Sequence, residues 1–207
     1  IEALKQGVDI SMITSACTAR IMSNHLDERE KAWQLIHSPA VGLSPDKESF
    51  AAMVREALYT GKIIAYAQGF SLMQDASRLY GWNLDLGKIA SIFRAGCIIQ
   101  AVFLNDITHA FEAEPKPESL IFDGFFLSRI NEHQDSLRQA VSTGVMNGLP
   151  IPALCNAVSY LDEFRAKAAG ANLIQAQRDC FGAHTYERTD REGVFHHEWR
   201  WANDNQH

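Results

Sequence analysis

The residues with most chemistry to offer lie between Leu173 and Glu187, in the run Leu-Ile-Gln-Ala-Gln-Arg-Asp-Cys-Phe-Gly-Ala-His-Thr-Tyr-Glu. Arg178, Asp179, His184 and Tyr186 fall within nine residues of one another. An Arg presents a planar fork of N–H donors that fits phosphate or carboxylate. A His adds a second donor and changes charge near neutral pH. Gly182 stands between Arg178 and His184 and tolerates positive φ or the close approach of another backbone. The run therefore predicts a helix end followed by a turn, with Arg178 and His184 facing an anionic ligand. On spacing alone the same residues also fit a plain capped helix end with a surface Arg178–Asp179 pair.

Other groups offer less. His184, His196 and His197 fit no standard metal-ligand spacing, and no metal site is expected. Asp162 and Glu163 read as a solvated helix face. Trp199 and Trp201 sit in a polar tail, where aromatic rings are expected to pack against a partner chain. Arg20 comes late in a predicted helix, where a cation also simply complements the helix dipole.

The elements that must position these residues are helical. Ile1–Lys5 reads as a helix end with Gly7 as its cap, and Asp9 as the N-cap of the next helix, whose stripe is Ile10, Ile13, Ala16, Cys17, Ile21 and Met22. A short helix from Asp27 to about Ile36 follows, then a turn at Val41-Gly42-Leu43. Ser44-Pro45 reads as the N-cap and first position of a long helix reaching Tyr80. Phe50, Met53, Val54, Ala57, Leu58, Ile64, Ala65, Leu72, Ala76 and Leu79 recur along it at three- and four-residue steps. At 1.5 Å per residue it would span about 50 Å, a central pillar with Gly61 and Gly69 allowing close helix contact. Further helices are expected from Asp85 to about Phe103, Leu104 to Glu114, Glu118 to Phe122, Phe125 to Gly148, Ala153 to about Ala169, and Leu173 to Phe181. No β-hairpin or alternating strand is evident outside the tail. The fold class is all-α: a large multi-helix domain around one long helix, with an extended C-terminal tail.

At 207 residues the chain makes one large domain or two small ones. A chain of this size buries roughly 70% of its unfolded surface, so the core needs no covalent staples. The net charge of −6 argues against a nucleic-acid partner, which needs a clustered basic face. Cys17, Cys97, Cys155 and Cys180 are far apart and read as reduced thiols of a cytosolic protein. No apolar run reaches the roughly 18 residues of a membrane span, and no signal peptide is evident. The opening Ile-Glu-Ala-Leu-Lys begins inside a helical pattern without Met, as expected of a fragment of a longer protein. No GxGxxG or P-loop is present to cradle a dinucleotide.

Five ordered stretches carry a resemblance: Ala57–Phe70, Arg94-Ala95-Gly96-Cys97-Ile98-Ile99, Val141-Ser142-Thr143-Gly144-Val145, Ile174–Asp179 and Phe181–Glu187. From Ile1 to about Trp199 the chain resembles the C-terminal domain of the 6-phosphogluconate dehydrogenase family. The resemblance implies an N-terminal Rossmann domain that binds NADP, and a large helical domain that forms the dimer interface and part of the sugar-phosphate site. It implies oxidation of 6-phosphogluconate at C3 and decarboxylation of the 3-keto acid, giving ribulose 5-phosphate, CO2 and NADPH. The family's catalytic Lys and Glu precede the region covered here. So do its Ser-Gly-Gly and His-Asn substrate contacts and a Lys and Thr near the phosphate. No catalytic, cofactor-binding or metal residue is therefore expected within these residues.

Carried over position by position, the resemblance makes Arg20, in Ala16-Cys17-Thr18-Ala19-Arg20, a phosphate-binding Arg. It makes Arg178 a second Arg on the substrate and His184 a substrate contact. Those two act in the neighbouring subunit's site, because the tail crosses the dimer. The sequence departs from the family pattern at Ala95 (Gly expected), Gln100 (Arg expected) and Cys180 (Tyr expected). Residues 202–207 do not resemble the family's ending, so NADP contact from this tail is not expected.

The resulting expectation is a cytoplasmic homodimer. Residues 1–182 form the helical dimerisation and substrate-site domain, 183–207 form a tail that reaches the partner subunit, and the NADP-binding domain lies outside the sequence. The fragment alone should be inactive. The competing reading is a non-catalytic helical dimerisation or scaffold module, which has no use for an Arg–His anion site; a helical nucleic-acid binder ranks third.

Overall fold

A computed structural model describes residues 1–38, 42, 46–168 and 170–199. The chain is all-α, as expected, and forms two compact units, Ile1–Leu161 and Asp162–His207. Their division falls within a helix, upstream of the 182/183 boundary read from the sequence.

The first unit is built on α4, Lys47–Tyr80. Its buried stripe, Ala57, Ile63, Ile64, Ala67 and Phe70, follows the three- and four-residue spacing of one helix face. Helix α7, Gly124–Met146, lies against it and contributes Phe126, Ile130 and Leu137. Helices α5 (Leu86–Ile92) and α6 (Leu104–Glu112) pair with each other and add Ala90, Leu104 and Ile107. Phe103 meets Tyr59, Tyr66 and Phe126 edge-on at 5.5, 5.5 and 5.8 Å, and Phe70 stacks on Phe111 at 5.3 Å. Full burial of each such ring contributes about 1.5–3 kcal/mol, so this aromatic knot is a principal source of stability.

The remaining helices of this unit are α1 (Glu2–Gln6), ended by Gly7 at φ 70°, α2 (Ser11–Met22) and α3 (Leu26–Leu35). Helix α8, Pro152–Arg165, begins in it. Gly61 makes the close helix contact expected of it: a Cβ there would stand 2.7 Å from Leu154 Cδ2 of α8 and 3.4 Å from Met12 Cε of α2. Gly69 does not, since nothing lies within 4 Å of a Cβ built on it.

Several boundaries differ from expectation. The cap of α4 is Asp46, whose carboxylate accepts the Ser49 N–H at 2.9 Å and the Ser49 hydroxyl at 2.8 Å. Ser44 and Pro45 lie outside the described residues. The helix expected from 86 to 103 stops at Ile92, and Gly96 takes φ 67°, which a right-handed helix cannot contain. Only Leu120–Phe122 of the segment from Glu118 is helical, as a 3₁₀ turn. Helix α8 stops at Arg165, and Gly170 caps the start of the next helix rather than the end of this one. Asp9 accepts the Ser11 N–H at 2.7 Å, although Ile10 is the residue flanking α2.

The second unit holds α9, Ala171–Gly182, and a short antiparallel ribbon in the tail, β1 (Tyr186–Glu187) with β2 (Val194–Phe195). Tyr186 pairs with Phe195 and Glu187 with Val194. Among the described residues no helix is long and apolar enough to cross a membrane. The four cysteines are free thiols.

Candidate functional site

The turn after α9 is built around Asp179, which has no exposed surface. It is not the surface partner of Arg178 that spacing allowed. Its Oδ1 accepts the Thr185 N–H at 2.9 Å and lies 2.8 Å from His196 Nδ1. Its Oδ2 accepts the His197 N–H at 3.0 Å and the Trp199 indole N–H at 2.9 Å. A carboxylate has about four lone-pair sites, and all are used here. Burial alone would raise the Asp179 pKa. The donors from His196, the His197 backbone, Trp199 and the Thr185 backbone outweigh it and hold the group well below the usual carboxylate range.

Asp179 also shapes the backbone. Its carbonyl accepts the Ala183 N–H at 2.9 Å and closes the helix. Ala183 and Thr185 take φ 51° and 60°, so His184 is flanked on both sides by left-handed residues that are not glycine. Each such residue costs on the order of 1–3 kcal/mol and persists only where surroundings over-determine it. Here both are hydrogen-bonded to Asp179. Gly182 is therefore not the left-handed residue of this turn; it ends the helix. Its missing side chain matters differently: a Cβ at Gly182 would stand 3.3 Å from Cδ2 and Nε2 of His184, whose ring lies over it.

Arg178 and His184 are thereby joined. The exposed Arg178 donates from Nη1 to Gln175 Oε1 at 2.9 Å, and Gln175 Nε2 donates to the Thr185 carbonyl at 2.5 Å. Gln175 thus ties the guanidinium to the turn that carries the exposed imidazole. A cleft of about 600 Å³ runs beside Gln175, lined also by Tyr186, Arg188, His197 and Trp199. Arg188 is matched by a two-pronged pair with Asp190, at 2.7 Å for each bond. His196 serves Asp179, and among the described residues no group of three or more His, Cys, Asp or Glu is placed to hold a metal. Trp199 anchors within its own chain through Asp179, and Trp201 lies outside the described residues. Asp162 takes the Arg165 guanidinium at 2.9–3.0 Å.

Arg20 belongs to the first unit. It is exposed in the last turn of α2, with Nη1 donating to Ser23 Oγ at 2.7 Å and Asn24 Oδ1 at 2.5 Å. The start of α2 is held by the fully buried Gln68 of α4. Its Nε2 donates to Asp9 Oδ1 and Ser11 Oγ, both at 3.2 Å, and its Oε1 accepts the Met12 N–H at 3.1 Å. Asn156 of α8 adds a bond to Ser15 Oγ at 2.7 Å. The sequence reading missed Asp179, Gln175 and Gln68 as organising residues. For Gln68 a signal was available, since it follows Ile64 and Ala65 on the apolar stripe of its helix, where a buried polar group demands partners.

A unit built on one long helical pillar, and a second unit of helix and carboxylate-locked turn, define the chain as all-α. Within that class, this chain belongs to the 6-phosphogluconate dehydrogenase C-terminal domain family, whose model matches residues 1–199. It is 47% identical over 197 residues to a "6-phosphogluconate dehydrogenase, decarboxylating" of Lactococcus lactis subsp. lactis, covering 95% of this chain and 42% of that protein. It is 46% identical over 199 residues to a Staphylococcus aureus protein of the same name, covering 96% of this chain and 42% of that one. A solved Plasmodium falciparum 6-phosphogluconate dehydrogenase superposes with a TM-score of 0.87 at 37% identity, covering 96% of this chain and 43% of that one. That enzyme is described in its apo form, with its cofactor NADP+ and with its substrate 6-phosphogluconate. The chain thus spans less than half the length of these relatives.

Proposed function

We propose that this chain is the C-terminal part of an NADP-dependent 6-phosphogluconate dehydrogenase. The enzyme oxidises 6-phospho-D-gluconate at C3 and releases its carboxylate as CO2, leaving ribulose 5-phosphate and NADPH. One observation carries the reading: Arg178 at the end of α9 and His184 on the locked turn after it both reach solvent, in a chain 46–47% identical to proteins of that name. The substrate carries a phosphate and a carboxylate. Guanidinium forks from two chains, Arg20 of one subunit and Arg178 of its neighbour, with the neighbour's His184 ring, neutralise it and fix its orientation for reaction at C3.

The roles of Arg20, Arg178 and His184 are substrate binding, and no catalytic residue is assigned within the chain. Among the described residues there is no βαβ unit to hold a dinucleotide. NADP is assigned to a part of the protein outside these residues. Residues 1–182 serve dimerisation and the substrate site, and the tail from 183 reaches the neighbouring subunit of a cytoplasmic homodimer. Support for a partner comes from α9, where Leu173, Ile174 and Phe181 are 77, 60 and 73% exposed.

The test has two arms. The 207-residue chain, assayed for NADP reduction with 6-phosphogluconate beside its size in solution, should be dimeric and silent. Measurable turnover would place the general base and acid within these residues and overturn the assignment. In the complete protein, Arg178→Ala should raise KM about 10- to 100-fold, the loss expected of charge-assisted hydrogen bonds. An unchanged KM would remove Arg178 from the site.

A further inference from the structure

We infer that Asp179 is the positioning residue of the anion site: the buried carboxylate whose bonds set where the His184 imidazole points. The inference rests on the reading of His184 as a substrate contact. Asp179 does not face solvent and bonds to Ala183, Thr185, His196, His197 and Trp199 rather than to Arg178 or His184, so it acts through the chain around them. Its carbonyl and its Oδ1 fix the residues immediately before and after His184, at 2.9 Å each, and those two residues hold the left-handed conformations that turn the imidazole back over Gly182. The opposite oxygen draws the tail in, through the His197 N–H and the Trp199 indole. One side chain thereby closes a loop of about twenty residues onto the end of α9, with His184 at its bend.

The chemistry demands a carboxylate in particular. Thr185, His197 and Trp199 approach Asp179 with N–H groups that can only donate, and the His196 ring donates to the charged carboxylate. An amide in its place offers one acceptor oxygen and turns an NH2 toward at least one N–H group, which repels it. Asp179→Asn therefore keeps the size of the side chain and breaks at least one bond of the node. Loss of one strong bond to a charged acceptor corresponds to a factor of about ten or more.

The test is a double-mutant cycle in the complete protein, with kcat and KM for 6-phosphogluconate measured for Asp179→Asn, His184→Ala and the pair. The expected result is a KM raised about tenfold or more by Asp179→Asn with kcat within threefold, and less than a twofold further rise when it is added to His184→Ala. A merely structural Asp179 would multiply its effect onto that of His184→Ala, which would overturn the inference while leaving the substrate role of His184 intact. If His184→Ala itself leaves KM unchanged, the anion-site reading fails and the positioning role fails with it. Trp199→Phe covers the case in which Asp179→Asn does not fold. It removes one donor and keeps an aromatic ring, and should raise KM about two- to fivefold by the same bond loss partly relayed, again without effect in the His184→Ala background. Additivity there overturns the inference equally.

Discussion

Gln68 and Asp179 are both polar side chains with no exposed surface, one in each compact unit, and each holds the segment that carries a candidate substrate residue. They do so in opposite settings. Gln68 is neutral, both donates and accepts, and sits among Ile64, Ala67 and Phe70 on a helix whose stability comes from apolar burial. Asp179 is charged and only accepts, and it is the only buried residue among those described from Asp162 onward. The first region is held by many small, interchangeable contacts, so any one of them can be weakened without loss of the fold. The second is held by one node whose bonds polarise one another and are lost together. Packing of the first kind gives stability; a node of the second kind gives a defined direction to a side chain.

The comparison breaks first, and with the largest effect, at the aromatic knot. Phe70→Ala in the 207-residue chain should cost about 3–5 kcal/mol, read as the loss in denaturant unfolding of the first unit. A loss under about 1 kcal/mol would mean that α4 is not the pillar described. Next, Gln68→Leu strands the Met12 N–H and removes the donor to Asp9 and Ser11, and should cost about 1–3 kcal/mol, with faster amide exchange at Met12. Neutrality would show that the amide network contributes nothing beyond shape.

The acid limb sharpens the contrast from the other side. A carboxyl whose folded pKa is depressed stabilises in full above its unfolded value, about 3.9, and loses that contribution as pH falls through the folded value. The difference in melting temperature between the parent chain and Asp179→Asn should thus stay constant from pH 7 to 5 and narrow below about pH 4. Narrowing already between pH 7 and 5 would show that another group governs the node. The smallest effect has the opposite sign. Gly69→Ala meets no atom within 4 Å and should stabilise the helix by about 0.5–1 kcal/mol. A destabilised melt would reveal a contact on that face.

The pillar was legible in the sequence because periodic burial repeats over 34 residues, and Gly81 marks its end with φ 65°. The helix predicted through Phe103 was not, because the apolar residues Ile98, Ile99 and Val102 continue a helical pattern while being exposed, and Gly96 interrupts it. At the site, Arg178 and His184 were legible as residue types suited to an anion. Asp179 was not, because its partners His196, His197 and Trp199 lie 17 to 20 positions away, and sequence spacing says nothing about a loop that closes on itself. The left-handed residue is Ala183 for a related reason: Gly182 is the residue propensity favours, but hydrogen bonds donated to Asp179 by Ala183 and Thr185 hold the conformation one residue later.

The unbroken run of α4 has a consequence for how this family can change length. Each residue of an α-helix turns the next by about 100°, so a single insertion near Lys62 would rotate Gln68 and Phe70 away from the sides they now face. Gly61 could still meet Leu154, while the amide that receives Met12 would point elsewhere. Point substitutions along α4 are graded losses, but insertions and deletions there are failures of phase. Natural variation in length should therefore gather in the connections, such as 93–103 and 113–119, and leave the interval between Asp46 and Gly81 at a fixed count.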